Sequence, residues 1–315
     1  MSLLSDVASS PMLKEYAQGA AQDAIQPVAD FIAPTVNVPT PVVRFKKYTE
    51  RDRFRLPETR RAIGGRATEL RFEATDATAQ CQPNALDYPV DILAEMAEQD
   101  IENLLMEGAT AIAEVGGLVH EKRVVDTALA AAGAGTNLSA AGVDLVDTID
   151  DGILTVLKAA KYGSLMGVGI LFGATAFKRF KNSANVKARF VTAGATKTGL
   201  QAAALANVTP DLASSLFLGQ PDTRVSYMVY DNSPEGAANE DIQFILDTAV
   251  LVFARKENPT RRDPSFMKSF RLAGKWMVPG SYLRDDQRVE VAKFDWSEDI
   301  QITNTAAVKR YNINP

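Results

Sequence analysis

Apolar residues along this 315-residue chain follow several distinct spacings, and each predicts an element. Leu93, Ala97, Ile101, Leu104, Leu105, Ile112 and Val115 recur three and four positions apart, the period of one helix face. This predicts a long helix opened by Pro89, capped by Asp91 and terminated at Gly116-Gly117. From Asp91 to Val115 it would span about 37 Å, long enough for a structural spine. A second amphipathic helix is expected from Asp147 to Tyr162 on Ile149, Ile153, Val156, Leu157 and Ala160. Shorter helices are expected over Thr175–Lys181 and Thr198–Asn207. Thr209-Pro210-Asp211 is a helix start, with a capping hydroxyl, a proline at the first turn and an early carboxylate.

Strands are expected where residues alternate or run unbroken apolar. These are Val42–Phe45, Glu69–Ala74, Leu165–Phe172, Arg224–Asp231, Phe244–Arg255, Val289–Phe294 and Ile300–Thr305. Ala62-Ile63-Gly64-Gly65-Arg66 reads as a hairpin tip in which Gly64-Gly65 supplies positive φ. Residues 44–86 therefore form a long hairpin, too charged to build a private core. Residues 130–142 are a low-complexity connector. Pro27, Pro34, Pro39 and Pro41 keep residues 1–43 extended apart from a helix over Met12–Ile25. Val28, Phe31, Ile32, Val36, Val38, Val42 and Val43 argue that this arm lies against something, and a neighbouring subunit is favoured over a disordered tail. The mixed order of elements makes the fold class α+β.

Charge changes the picture. Arg44 to Arg71 carries ten basic residues against four acidic ones, and Asp87 to Asp126 carries ten acidic residues against Lys122 and Arg123. One part of the chain is thus suited to bind another part of an identical neighbour. The net charge of −5 gives no overall field for nucleic acid or an anionic membrane. No apolar stretch reaches the length of a membrane span, and the N-terminus lacks the pattern of a secretory signal, so a soluble, cytosolic product is expected.

Candidate chemistry is sparse. The single histidine, His120, and the single cysteine, Cys81, nearly exclude a zinc site and limit any histidine-based triad to His120. His120 is read as structural, at the end of the spine helix, and Cys81 as a small apolar filler. The stretch Tyr162–Gly169 lacks the Gly-Lys-Ser/Thr ending of a phosphate loop. Asp150-Asp151, Asp285-Asp286 and Glu298/Asp299 read as solvated loop charges. No cofactor and no metal are expected. The aromatics Phe45, Tyr48, Phe54 and Phe72 among the arginines permit a nucleic-acid platform, against which the interspersed acids count.

Arg53-Phe54-Arg55-Leu56-Pro57-Glu58-Thr59-Arg60-Arg61-Ala62-Ile63-Gly64-Gly65-Arg66-Ala67-Thr68-Glu69 resembles the extended loop of tailed-bacteriophage major capsid proteins with the Hong Kong 97-type fold. Asp295–Ala307 is similar to the closing strands of that family, and Leu171–Phe180 to the strand-then-helix of its axial domain. The resemblance covers essentially the whole chain through the order of its parts. It implies an N-terminal arm at 1–43 and an extended β-hairpin loop at 44–86. It implies a peripheral domain with the spine helix at 87–145 and 275–315, and an axial domain at 146–274. It further implies pentamers and hexamers closing an icosahedral shell around double-stranded DNA, in a virion assembled in the host cytoplasm. Portal, scaffolding and decoration proteins would be the partners. Intersubunit contacts are expected from Arg53, Phe54, Arg55, Leu56, Arg60, Arg61, Gly64, Gly65 and Phe72 of the loop, and from Glu95, Glu98 and Glu102 of the spine. Two other readings stay open: an encapsulin-like cellular compartment of the same fold, and a soluble enzyme working through carboxylates alone.

Overall fold

Two six-residue runs, VGILFG at 168–173 and AVLVFA at 249–254, contain no polar side chain, and every residue in both is buried. Strands of this kind need cover on both faces, and they form the middle of a layered core. The computed structural model describes residues 28–47, 59–60, 63–66, 69, 75–91, 101–140, 142–160, 167–193, 208–234, 239–261, 263, 265–285 and 288–314. The chain opens with β1 (Thr35–Val38), β2 (Val42–Lys47), β3 (Thr75–Gln80) and β4 (Gln82–Asp91), followed by the spine helix α1 (Ile101–Ala132). Next come β5 (Thr136–Asn137), α2 (Leu145–Ala160), β6 (Val168–Gly173), α3 (Ala174–Asn182), α4 (Ala184–Ala193) and α5 (Pro210–Ser214). The remaining elements are β7 (Asp222–Ser226), β8 (Val229–Asp231), β9 (Ile242–Phe244), β10 (Ala249–Ala254), β11 (Met267–Leu272), β12 (Val278–Leu283), β13 (Val289–Ile302) and β14 (Val308–Asn312).

One five-stranded sheet runs β5-β14-β10-β6-β7. Helix α2 lays Val146, Ile149, Ile153 and Val156 into the core beside it. Phe172, Phe177, Phe180 and Phe217 close the core from the side of α3. The second sheet has the order β1-β11-β13-β12, and β4 also pairs with β13. The 14-residue β13 is its backbone, antiparallel to β11, β12 and β4 at once. The two closing strands expected from sequence are this one continuous strand. Two smaller ribbons, β2-β3 and β8-β9, stand apart. The single strand expected over Arg224–Asp231 is split between β7 and β8. The predicted helix start at Thr209 is present, and its hydroxyl accepts from Leu212 N.

The spine helix departs from expectation at both ends. Pro89 and Asp91 belong to β4, where Pro89 pairs opposite Val291, so they do not open a helix. At the other end the helix passes through Gly116-Gly117 to Ala132 and covers 32 residues, about 48 Å. A glycine inside a helix costs about 1 kcal/mol relative to alanine, and here close packing accounts for it. A Cβ on Gly116 would lie 3.0 Å from the Phe294 ring, and one on Gly108 would overlap the Tyr88 ring. The bare backbone at these positions lets the helix rest directly on β4 and β13. Its true stop is Gly133, at φ +69°. The start of the predicted connector at 130–132 is therefore helix.

The arm corrects a second expectation. Val28, Ala29, Phe31, Ile32, Ala33, Val36 and Val38 are buried within their own chain, not reserved for a neighbour. Strand β1 adds in parallel to β11, with Thr35 opposite Ser269 and Val38 opposite Leu272. Phe31 meets Phe253 edge-on at 5.3 Å, and the guanidinium carbons of Arg224 and Arg255 each lie 4.6 Å from its centroid. Gly169 makes the notch: a Cβ there would lie 2.8 Å from Phe31 Cζ. The helix expected over Met12–Ile25 and that over Thr198–Asn207 lie outside the described residues.

Because Phe31 is buried in its own subunit, Phe31→Ala should lower the stability of the unassembled protein by about 3–5 kcal/mol. Denaturant unfolding of the isolated subunit checks this. An unchanged midpoint would mean that the arm is not seated on its own body.

Candidate assembly interface

Strand β2 reads VVRFKK, and its alternation places Val43 and Phe45 inward and Val42 and Arg44 outward. Antiparallel pairing sets Val43 opposite Ala79 and Phe45 opposite Ala77, so each large side chain faces a small one. The hairpin root thereby acquires a core, but a shared one. Val43, Phe45, Ala79 and Cys81 pack with Val36 and Val38 of the arm and Phe270 of β11. Phe45 and Phe270 have ring centroids 5.2 Å apart. Cys81 is buried here and its thiol donates to the Phe270 carbonyl at 3.5 Å, which agrees with its reading as a filler. Gln80 N donates to Asp299 Oδ2 at 2.7 Å and ties the return strand to β13.

The far end of the hairpin exposes an apolar side chain. Ile63 has a relative exposure of 107%, and nothing lies within 4 Å of where a Gly64 Cβ would stand. Gly64 alone takes positive φ, +83°; Gly65, expected to share that role, does not. The tip is thus a glycine turn displaying one branched apolar side chain. Arg60 and Arg66 flank it, both exposed.

Beneath the root lies a buried polar cluster that spacing could not reveal. His120 sits well inside the spine helix, not at its end. Its Nδ1 is 2.6 Å from Glu298 Oε2. Arg271 donates to His120 Nε2 at 3.1 Å and to Asp30 Oδ1 of the arm at 2.8 Å. A guanidinium has no acceptor, so Nε2 is the accepting nitrogen and the Nδ1 proton faces Glu298. The other Glu298 oxygen accepts from Trp296 Nε1 at 3.2 Å and from Arg123 at 3.0 Å. Arg271 also stacks over Trp276, 3.6 Å from the ring centroid. Glu298, expected to be a solvated loop charge, is instead the buried acceptor of this tie, while its neighbour Asp299 accepts from Gln80 N and Gln301 Nε2. Burial alone would raise the Glu298 carboxyl, but His120, Trp296 and Arg123 together hold it below the usual carboxylate range.

At the next residue of the spine, Glu121 Oε2 accepts from Ala29 N at 2.9 Å and so holds the arm as well. Burial pushes this carboxyl up to about 8, with the Asp30 charge adding and the Ala29 bond opposing. Glu121 is therefore neutral near pH 6 in the folded chain and ionised in the unfolded one. Its contribution is present below the usual carboxylate pKa and is lost as pH rises through about 8. Glu298 has the opposite sign: its contribution is lost as pH falls through the acid range.

Among the loop residues expected at the interface, Arg53, Phe54, Arg55, Leu56, Arg61 and Phe72 lie outside the described residues. Glu95 and Glu98 of the spine do so too, and Glu102 is placed on α1 by its backbone alone. The predicted contact between loop and spine therefore falls outside the described residues. Among the described residues no helix is long and apolar enough to cross a membrane, and no group of ligating side chains could hold a metal ion.

The Glu121 environment yields a measurable pH dependence. Between pH 6 and pH 9 the isolated subunit should lose on the order of 2 kcal/mol through this group. Glu121→Gln keeps an acceptor for Ala29 N and should flatten that loss. Parallel denaturation curves for both proteins at the two pH values check it, and equal slopes would refute the assignment.

The chain matches no protein-family model and no curated protein. Solved structures do resemble it along nearly its full length. A phage-related protein from Bordetella bronchiseptica RB50 superposes with a TM-score of 0.68 at 14% identity, over 96% of this chain and 97% of that one. The mature capsid of bacteriophage PhiM1 gives 0.54 at 10% identity, over 90% and 86%. The holo-SrpI encapsulin complex from Synechococcus elongatus PCC 7942 gives 0.50 at 10% identity, over 90% and 88%. At these identities the likeness is one of fold. A spine helix laid on a sheet organised by one long strand, a second buried sheet, and a hairpin rooted at the first are the Hong Kong 97-type α+β fold of phage capsid proteins.

Proposed function

We propose that this chain is the major capsid protein of a tailed bacteriophage head and not an enzyme. Copies assemble as pentamers and hexamers into an icosahedral shell around double-stranded DNA, in the virion and from the host cytoplasm. Portal, scaffolding and decoration proteins are its other partners. The observation that carries the reading is the hairpin. Its root is built into the subunit through a shared core, while its tip displays Ile63 and basic residues to solvent, a cost only a neighbour would offset. Shell proteins of phage heads have the same architecture over most of this chain. The proposed peripheral domain is 87–145 with 275–315, and the axial domain is 146–274.

In this reading the loop stem, with Arg53, Phe54, Arg55, Leu56, Arg60, Arg61 and Phe72, lies across the acidic spine of an adjacent subunit at Glu95, Glu98 and Glu102. A single exposed ion pair contributes only about 0–1 kcal/mol. Repetition over a closed shell makes such contacts decisive while leaving each one reversible during growth.

A second reading is an encapsulin-like compartment, supported by the fold match to an encapsulin complex. Particle contents separate the two. Nuclease-protected double-stranded DNA in particles from the natural source favours a phage head, and a packaged enzyme favours a compartment.

Electron microscopy of the purified protein tests the proposal: closed particles are expected, and a monomer at all concentrations would overturn it. Arg55→Glu, Arg60→Glu and Arg61→Glu combined should reduce particle yield at least tenfold at low salt. Undiminished shells at both low and high salt would remove the electrostatic part.

A further inference from the structure

The ribbon β8-β9 has one face on the body and one in solvent. Val229 pairs opposite Phe244 and Asp231 opposite Ile242, so these side chains share a face, and Tyr227 joins them two residues earlier. Met228 and Tyr230 alternate to the other side and pack against the main core. Lys122 Nζ of the spine helix stands 4.4 Å from the Tyr230 ring centroid and marks that side as covered. On the outer side Tyr227 is 57% exposed, Ile242 55%, Val229 45% and Phe244 42%. Four large apolar side chains thus form one uncovered patch.

The end of this ribbon is acidic. Asp231 accepts from Ser233 N, Ser233 Oγ and Asp241 N, bonds that hold its carboxyl below the usual range. Asp241 accepts from Asn232 and Gln243, and Glu240 lies beside it, exposed. Residues 227–244 contain Asp231, Glu235, Glu240 and Asp241 and no lysine or arginine. The loop bearing Ile63 is the complement. Residues 51–66 contain six arginines against Asp52 and Glu58. One segment therefore offers an apolar knob among guanidinium groups. The other offers a flat apolar face with carboxylates at its edge.

We infer that the hairpin tip of one copy docks on the outer face of β8-β9 of a second copy, with Ile63 against Tyr227, Val229 and Phe244 and Arg66 toward Glu240 and Asp241. The occupant is a copy of this chain because the complementary charge and the exposed apolar knob are both its own. The inference rests on the shell reading and deepens it: the loop stem crosses the spine, and the tip is received by this ribbon.

The chain's only cysteine is Cys81, and it is buried, so introduced cysteines report cleanly. Ile63→Cys with Val229→Cys is assembled, oxidised and run on a non-reducing gel, beside each single variant and Ile63→Cys with Glu107→Cys on the spine. Most subunits of the first pair should leave the monomer band for a ladder of covalent oligomers, while the singles and the spine control remain monomeric. Intact particles with only a monomer band overturn the inference. So does a fast-migrating monomer, which would place the tip on its own body, or a ladder from Val229→Cys alone, which would pair the face with itself. If the cysteine pair does not assemble, charge exchange decides. Arg66→Glu should lower particle yield at least fivefold at low salt and Glu240→Arg should restore it; no restoration overturns the docking. Wild-type protein that never forms particles would instead defeat the shell reading itself.

Discussion

A carboxylate removed from water must be surrounded by donors, or it gives up its charge. Glu298 meets that demand with donors from separate parts of the chain. His120 and Arg123 come from the spine helix, and Trp296 from the same strand. Arg271 extends the set from β11 through His120 to Asp30 of the arm. Each partner carries a whole element with it. The position of the spine helix on β13 and the seating of the arm are both tied to satisfying this one region. Removing a single member would leave buried charge without compensation, which is more damaging than losing an apolar contact of similar size.

The hairpin shows how a segment without a core of its own is held rigid at one end. Charged side chains are frequent in its outer sequence, and the burial described lies at its base. There Val43 and Phe45 reach inward past Ala77 and Ala79 to Phe270. The large-against-small pairing leaves Val43 and Phe45 to pack on Val36 and Val38 of the arm and on Phe270. Stiffness at the base orients whatever the tip displays.

Much of this architecture was legible in the residues. Helix α2 was readable because its apolar stripe is clean, and β6 and β10 because nothing polar interrupts them. The Thr209 cap was readable because its chemistry is local. The errors came where local chemistry and packing disagree. Gly116-Gly117 has the form of a helix stop, yet Phe294 needs a bare backbone beneath it, and no window of sequence around residue 116 contains that fact. Pro89 resembles a helix opener, but as part of β4 it is paired to a strand two hundred positions later. The arm's apolar residues signalled burial for all but Val42, but the neighbouring subunit they suggested is in fact the arm's own body. At the candidate interface the charge asymmetry was visible at once, and the turn at Gly64 with it. The tie between His120 and Glu298 was not, because a lone histidine and a Glu-Asp pair carry no mark of being neighbours until β13 folds against the spine.

The parallel pairing of β1 with β11 has a kinetic consequence. Arg271 and Asp30, joined beside that pairing, are 241 positions apart. Strand β1 must therefore wait until the 241 positions between Asp30 and Arg271 have been made before its binding strand exists. Contacts of such separation form late, after their loop-closure entropy has been met by other structure. Until then the edge of β11 stays open and able to accept a foreign strand. Newly made chains of this protein thus pass through an interval of vulnerability to mispairing, which ends only when β1 returns to close the sheet.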